Sequence, residues 1–106
     1  MGEAGKIYDQ YFLSYSGAKL PLNLVGPLET AEVENRNTCF AANLDAAGRV
    51  NLIHKLVYGA VEMSHLYGYD GDGNLAWAEI RTIDDEARKL WFSPEGQVIR
   101  DEDLDE

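Results

Sequence analysis

From residue 37 onward, apolar and polar side chains alternate with a spacing of two rather than 3.6, and glycine-bearing turns interrupt the alternation at regular intervals. Thr38–Leu44, Arg49–Tyr58, Ala60–Tyr69, Asn74–Ile83 and Arg88–Phe92 each read as a strand, and Gln97–Arg100 as a short last one. Earlier in the chain, Ile7–Tyr15 is rich in aromatic residues and lacks a helix start, so it reads as strand one. After Ser16-Gly17 the chain returns as strand two over Ala18–Val25. Pro21, with no amide hydrogen, marks that strand as an edge or a bulge. Gly26-Pro27 is expected to end it. Leu28–Asn35 holds the one helical stretch, with Pro27 at its opening turn, acids near the positive end of the helix dipole, and a thin stripe of Leu28, Ala31 and Val33.

Three turns share one chemistry. Asp45–Gly48, Asp70–Gly73 and Ser93–Gly96 each place an oxygen-bearing side chain first and glycine fourth, with the glycines 25 and 23 residues apart. In a three-residue hairpin loop the last loop residue takes a positive φ, which glycine adopts without a Cβ clash, while the leading Asp or Ser accepts hydrogen bonds from the turn's own amides. The unit is a repeated hairpin. If Asp70 opposes Asn74, the register sets Tyr69 against Leu75, Tyr67 against Trp77, His65 against Glu79 and Met63 against Arg81. A slip of one residue would instead give Leu66 against Trp77 and an ion pair between Glu62 and Arg81; the turn geometry favours the first.

The fold expected from this pattern is mainly β: an antiparallel meander of seven or eight strands, as a twisted open sheet or a partly closed barrel, with one short helix near residues 28–35. Each strand adds about 20–25° of twist, so so many strands in a small chain tend to curl. With 106 residues and 45% hydrophobic content, one β-meander domain over residues 1–100 is expected, able to bury a core without staples. The net charge of −10 is uneven: residues 101–106 hold five acids in six positions and read as a solvated, disordered tail. The rest of the chain has no basic stripe for a nucleic-acid backbone. No apolar run approaches the roughly 18 residues of a membrane helix, and no signal peptide is visible at the start. A single cysteine, Cys39, forms no internal disulfide, which favours a reducing cytoplasm.

Candidate chemistry is sparse. His65 and Glu79, facing each other near Tyr67 and Trp77, could act as an imidazole base oriented by a carboxylate; the plainer reading is a polar cross-strand pair. Cys39 with His54 or His65 lacks a helix start to activate the thiol and a third orienting residue, so Cys39 reads as a small core residue. Asp70-x-Asp72-x-Asn74 copies the first three positions of a calcium loop, but Leu75 and Arg81 stand where glycine and a bidentate glutamate belong, so the stretch is better explained as a turn. His54, His65 and one cysteine do not form a zinc spacing. No cofactor is expected. The aromatic supply is richer: Tyr8, Tyr11, Phe12, Tyr15, Tyr58, Tyr67, Tyr69, Trp77, Trp91 and Phe92 are many for one sheet. Core packing is the first explanation, and a binding or self-association face the second, with Tyr67, Tyr69, Trp77 and Trp91 as its residues.

Two resemblances follow from particular stretches. Tyr67-x-Tyr-Asp-x-x-Gly-x-Leu75 resembles the tyrosine–aspartate hairpin repeats of large secreted bacterial toxins and wall proteins, whose long spiralling sheets 106 residues cannot build. Tyr11-Phe-Leu-Ser-Tyr-Ser-Gly17, Lys19-Leu-Pro-Leu22, Glu34-Asn-Arg-Asn-Thr38 and Val57-Tyr-Gly-Ala-Val-Glu62 are similar to a family of small uncharacterised bacterial proteins, a domain of unknown function. That second resemblance implies a bacterial, cytoplasmic protein and brings no activity, catalytic residue or cofactor. The sequence therefore reads as a non-enzymatic cytosolic module that binds a protein partner or a second copy of itself through an aromatic sheet face. The alternative is a small-molecule binder or enzyme built around His65 and Glu79 in a curled sheet.

Overall fold

A computed structural model describes residues 8–17, 20–33, 36–84 and 86–104. Among them, β1 (Gln10–Ser16), β2 (Asn23–Leu28), a single helical turn α1 (Thr30–Val33), β3 (Thr38–Leu44), β4 (Val50–Val57), β5 (Ala60–Tyr69), β6 (Leu75–Thr82), β7 (Ala87–Phe92) and β8 (Val98–Asp103) follow in chain order. The strands form one antiparallel sheet in the order β2-β1-β3-β4-β5-β6-β7-β8. From β3 to β8 it is the expected meander, while β1 rather than β2 pairs with β3; the sheet stays open, with β2 and β8 as its two edges.

The three repeated turns form as their sequences require. Gly48, Gly73 and Gly96 take φ values of 87, 88 and 92°. Asp45 Oδ1 accepts the amides of Ala47 and Arg49, Asp70 Oδ1 accepts those of Asp72 and Asn74, and Ser93 Oγ accepts that of Gln97. These bonds hold the Asp45 and Asp70 carboxyls below their ordinary pKa. A register shift follows each turn in the ladder, at Asn43/Leu44, Gly68/Tyr69 and Trp91/Phe92. The β4–β5 turn is different: Tyr58 at φ 51° and Gly59 at 82° make a two-residue turn with both φ positive. Tyrosine is strained there, and asparagine is the residue that turn favours. Tyr58→Asn is expected to raise stability by about 0.5–1 kcal/mol, read as a melting temperature a few degrees higher.

The register shift beside Asp70–Gly73 overturns the expected pairing. Tyr69 does oppose Leu75, but Gly68 then opposes Trp77, Tyr67 opposes Ala78 and His65 opposes Ile80. One extra residue on β6 reverses which side chains share a face with β5. The cause is steric: a Cβ on Gly68 would lie 2.0 Å from Trp77 Nε1, so only glycine lets the indole cross the partner strand. Tyr67 and His65 thereby turn to the core face, and Trp77 and Glu79 to the other.

The core follows from that choice. Phe40, Ala42, Ile53, Tyr67 and Ala78 form its buried centre on one face of β3–β6. Leu20, Leu22 and Leu24, from the connection into β2 and its start, pack on it. The Leu22 amide donates to the Tyr67 hydroxyl at 3.2 Å, tying that connection down. The curled sheet is thus capped by its own first hairpin.

Several boundaries differ from expectation: strand one starts at Gln10 rather than Ile7, and strand two at Asn23 rather than Ala18, which leaves Pro21 in the connection between them rather than in an edge strand or bulge. Strand two runs through Gly26-Pro27 to Leu28 rather than stopping at Val25: Gly26 takes φ 74°, and an edge strand tolerates the missing amide of Pro27. The first residues of the expected strands one and two, Ile7, Ala18 and Lys19, lie outside the described residues. The helix shortens to Thr30–Val33, where the Glu32 carboxylate accepts the Glu29 amide at 2.9 Å as half of a capping box; Glu34 and Asn35 also lie outside the described residues. The acid run expected to leave the fold at residue 101 stays in the ladder to Asp103. Arg88 reaches Asp101 and Asp103, and the Leu104 amide donates to the Ala87 carbonyl at 2.8 Å. Asp105 and Glu106 lie outside the described residues.

Candidate functional site

The pairing separates the two residues expected to act together. His65 is 5% exposed and paired with Ile80, with its Nδ1 2.6 Å from the Tyr67 hydroxyl. That hydroxyl also accepts the Leu22 amide, so one run of hydrogen bonds links Leu22, Tyr67 and His65. Burial lowers the His65 pKa to about 4 and raises that of Tyr67. Glu79 lies on the other face, opposite Leu66 and Lys89, and takes Arg81 Nε at 2.9 Å. The imidazole is sealed in the core, and the carboxylate expected beside it lies on the opposite face of the sheet.

The four expected binding residues also divide. Tyr67, at 4% exposure, is a core residue. Tyr69 is half-buried, donates to the Val50 carbonyl at 2.6 Å and carries Arg49 over its ring. Trp77 and Trp91 are brought together, directly opposed across β6 and β7 on the face away from the core. Their rings are already occupied: Lys89 lies 4.5 Å from the Trp77 centroid and 5.1 Å from that of Trp91, and Arg100 lies 4.8 Å from Trp91. Each such contact contributes about 0.5–1 kcal/mol at an exposed site, so this ladder stiffens the sheet before any partner arrives.

Elsewhere the residues behave structurally. Cys39 is buried, and burial raises its pKa, so its thiol stays protonated. His54 Nδ1 pairs with the Tyr8 hydroxyl at 2.7 Å, on the face opposite His65. Asp70 spends its carboxylate on turn amides, and among the described residues no three His, Cys, Asp or Glu side chains converge as metal ligands.

Among the described residues, one concavity lies at the end of the sheet carrying the repeated turns. An open groove of about 560 Å³ runs between Leu20-Pro21 and the β5–β6 and β7–β8 turns, floored by Tyr69, Leu75, Leu90 and Phe92 and closed by Ser93–Gly96 and Val98. Val98 is also the first residue of β8, so the groove opens directly onto a sheet edge that pairs with no further strand among the described residues. The Leu104 amide points toward β7, and the alternation of an antiparallel ladder then turns the backbone groups of Asp101 and Asp103 outward, away from β7. Ile99 is the extra residue at the β7–β8 register shift, which leaves it 67% exposed. Sequence reasoning missed this site because the acid run hid the edge strand and because nothing local shows that Leu20-Pro21 reaches the far turns. The repeated turn at Ser93–Gly96 was the available signal.

A family model matches residues 5–101. The chain belongs to DUF6156, a family of unknown function. This is in keeping with the resemblance to an uncharacterised family read from its sequence. No curated protein and no solved structure matches the chain. Among the described residues, no helix of this family member is long and apolar enough to cross a membrane.

Proposed function

We propose that the chain is a non-catalytic, cytosolic interaction module that takes up an extended segment of a protein partner along β8, with an apolar side chain of that segment seated in the adjoining groove. The observation that carries the reading is the outward backbone of Asp101 and Asp103 on an edge strand that begins at the mouth of the groove. Strand addition draws affinity from main-chain hydrogen bonds and specificity from pockets for alternate side chains, and this end of the sheet supplies both. The acidic chain argues against a nucleic-acid partner. The capped Trp77–Trp91 ladder supports the edge rather than recognising the partner.

Asp101→Pro tests it. Proline is tolerated on an edge strand where the amide faces solvent, so the variant is expected to keep its fold, with a melting temperature within a few degrees of the parent. Proteins co-purifying with the parent in stoichiometric amount should be lost from the variant. Retention of the same partners by a folded Asp101→Pro protein would rule out the β8 edge.

The groove volume also suits a small ligand, since such sites usually span about 300–1,000 Å³, which keeps a small-molecule reading as the second choice. Native mass spectrometry separates the two: extra mass on the folded protein, lost on denaturation, would put the small ligand first.

A further inference from the structure

The strand-addition reading leaves open what kind of segment the edge accepts, and the charge distribution narrows it. Residues 84–106 hold nine of the nineteen acidic residues and three of the nine basic ones. On β8 itself, Asp101 and Asp103 share the groove face with their cross-strand neighbours Leu90 and Arg88. The backbone groups of the same two residues point outward, so an added strand would run directly past their carboxylates. Arg88 contacts both, but all three side chains are solvated, and exposed pairs of this kind hold their charges weakly and leave lone pairs free for a further cation.

The same geometry counts against a second copy. Two-fold antiparallel pairing of β8 centred on Asp101 sets the two Asp101 side chains against each other, with Arg100 opposite Glu102 on the other face; centred on Glu102 it sets Glu102 against itself and Asp101 against Asp103. Centred on Arg100, it sets Arg100 against Arg100 and leaves Asp101 opposite Ile99, Glu102 opposite Val98 and Asp103 opposite Gln97. Like charges directly opposed destabilise a strand pair, and opposite charges stabilise it.

We infer, resting on the strand-addition reading, that the partner segment is an extended basic one, with Lys or Arg at alternate positions beside Asp101 and Asp103 and an apolar residue at the groove. The edge acids then have two effects: they repel another copy of this chain and select a cationic strand.

The test uses the full chain, isotope-labelled, and three capped decapeptides with valine at every second position; the positions between carry lysine, serine or glutamate where they face Asp103 and Asp101, and leucine where they continue toward the groove. The lysine peptide is expected to shift the amide resonances of Val98–Asp103 and slow hydrogen exchange at Asp101 and Asp103, with no binding by the glutamate peptide. Its affinity should fall roughly fivefold in the Asp101→Asn/Asp103→Asn double variant, and should fall with added salt. If the serine peptide binds as well as the lysine peptide and the double variant binds both unchanged, the basic preference is overturned while strand addition stands. If no peptide protects Asp101 or Asp103, both fail. Protection that grows with protein concentration in the absence of peptide would make a second copy the occupant and overturn the inference.

Discussion

Lowering the pH from 7 to 4 is expected to cost the fold about 3 kcal/mol through His65, whose pKa is lowered to about 4 in the folded chain. Unfolded, the imidazole takes up its proton near the ordinary 6.5. Folded, it resists until about pH 4, because the charged ring would sit in the core. Between those values the unfolded chain binds the extra proton, so acid favours unfolding, and the stabilisation is complete only above about pH 6.5. Protonation makes donors of both ring nitrogens, so the Tyr67 hydroxyl is left only to accept from His65 Nδ1 while it also accepts the Leu22 amide. His54, lowered by the same kind of burial, adds in the same direction. Asp45 and Asp70 do not confuse the window, since carboxyls held below their ordinary value lose their contribution only at more acid pH. Urea unfolding at a series of pH values measures the loss. His65→Gln should remove most of the slope between pH 6.5 and 4; an equal slope in parent and variant would place the titration elsewhere.

What the sequence made legible was local. The repeated Asp-x-x-Gly turns could be read because their reasons lie within five residues: a side-chain oxygen, a positive φ and two amides. The bounds of β3 and β5 followed, since alternation between two good turns leaves little choice. The candidate site was not legible in the same way. It depends on which face each strand presents, and one extra residue beside a turn reverses that for everything beyond it. Tyr67 looked like a surface aromatic and His65 like a base beside Glu79 because the register was extrapolated without a bulge. The groove depends on Leu20-Pro21 meeting turns some fifty and seventy residues later in the chain, a contact no local pattern encodes. The acids of β8 read as a tail because their pairing with Arg88 is likewise non-local.

Gly68 held the signal that would have corrected the register, and its replacement should have one of the largest effects in the molecule. A glycine inside a strand pattern marks a bulge or a close approach, and here it marks both: Trp77 Nε1 and Cε2 would lie 2.0 and 2.2 Å from an added Cβ. The indole has little freedom to retreat, since Lys89 covers its ring and Trp91 stands opposite it on β7. Gly68→Ala is therefore expected to cost roughly 3 kcal/mol, either by expelling Trp77 from its place or by forcing β5 and β6 apart. In a Trp77→Ala background the obstruction is gone, and the same substitution should cost under about 1 kcal/mol. Urea unfolding of the parent, the two single variants and the double variant gives the coupling directly. A large coupling places the indole on Gly68 and fixes the register that turns His65 and Tyr67 inward. A small and equal cost in both backgrounds would mean that Trp77 lies elsewhere, and the faces of β5 and β6, with the core assigned to them, would have to be exchanged.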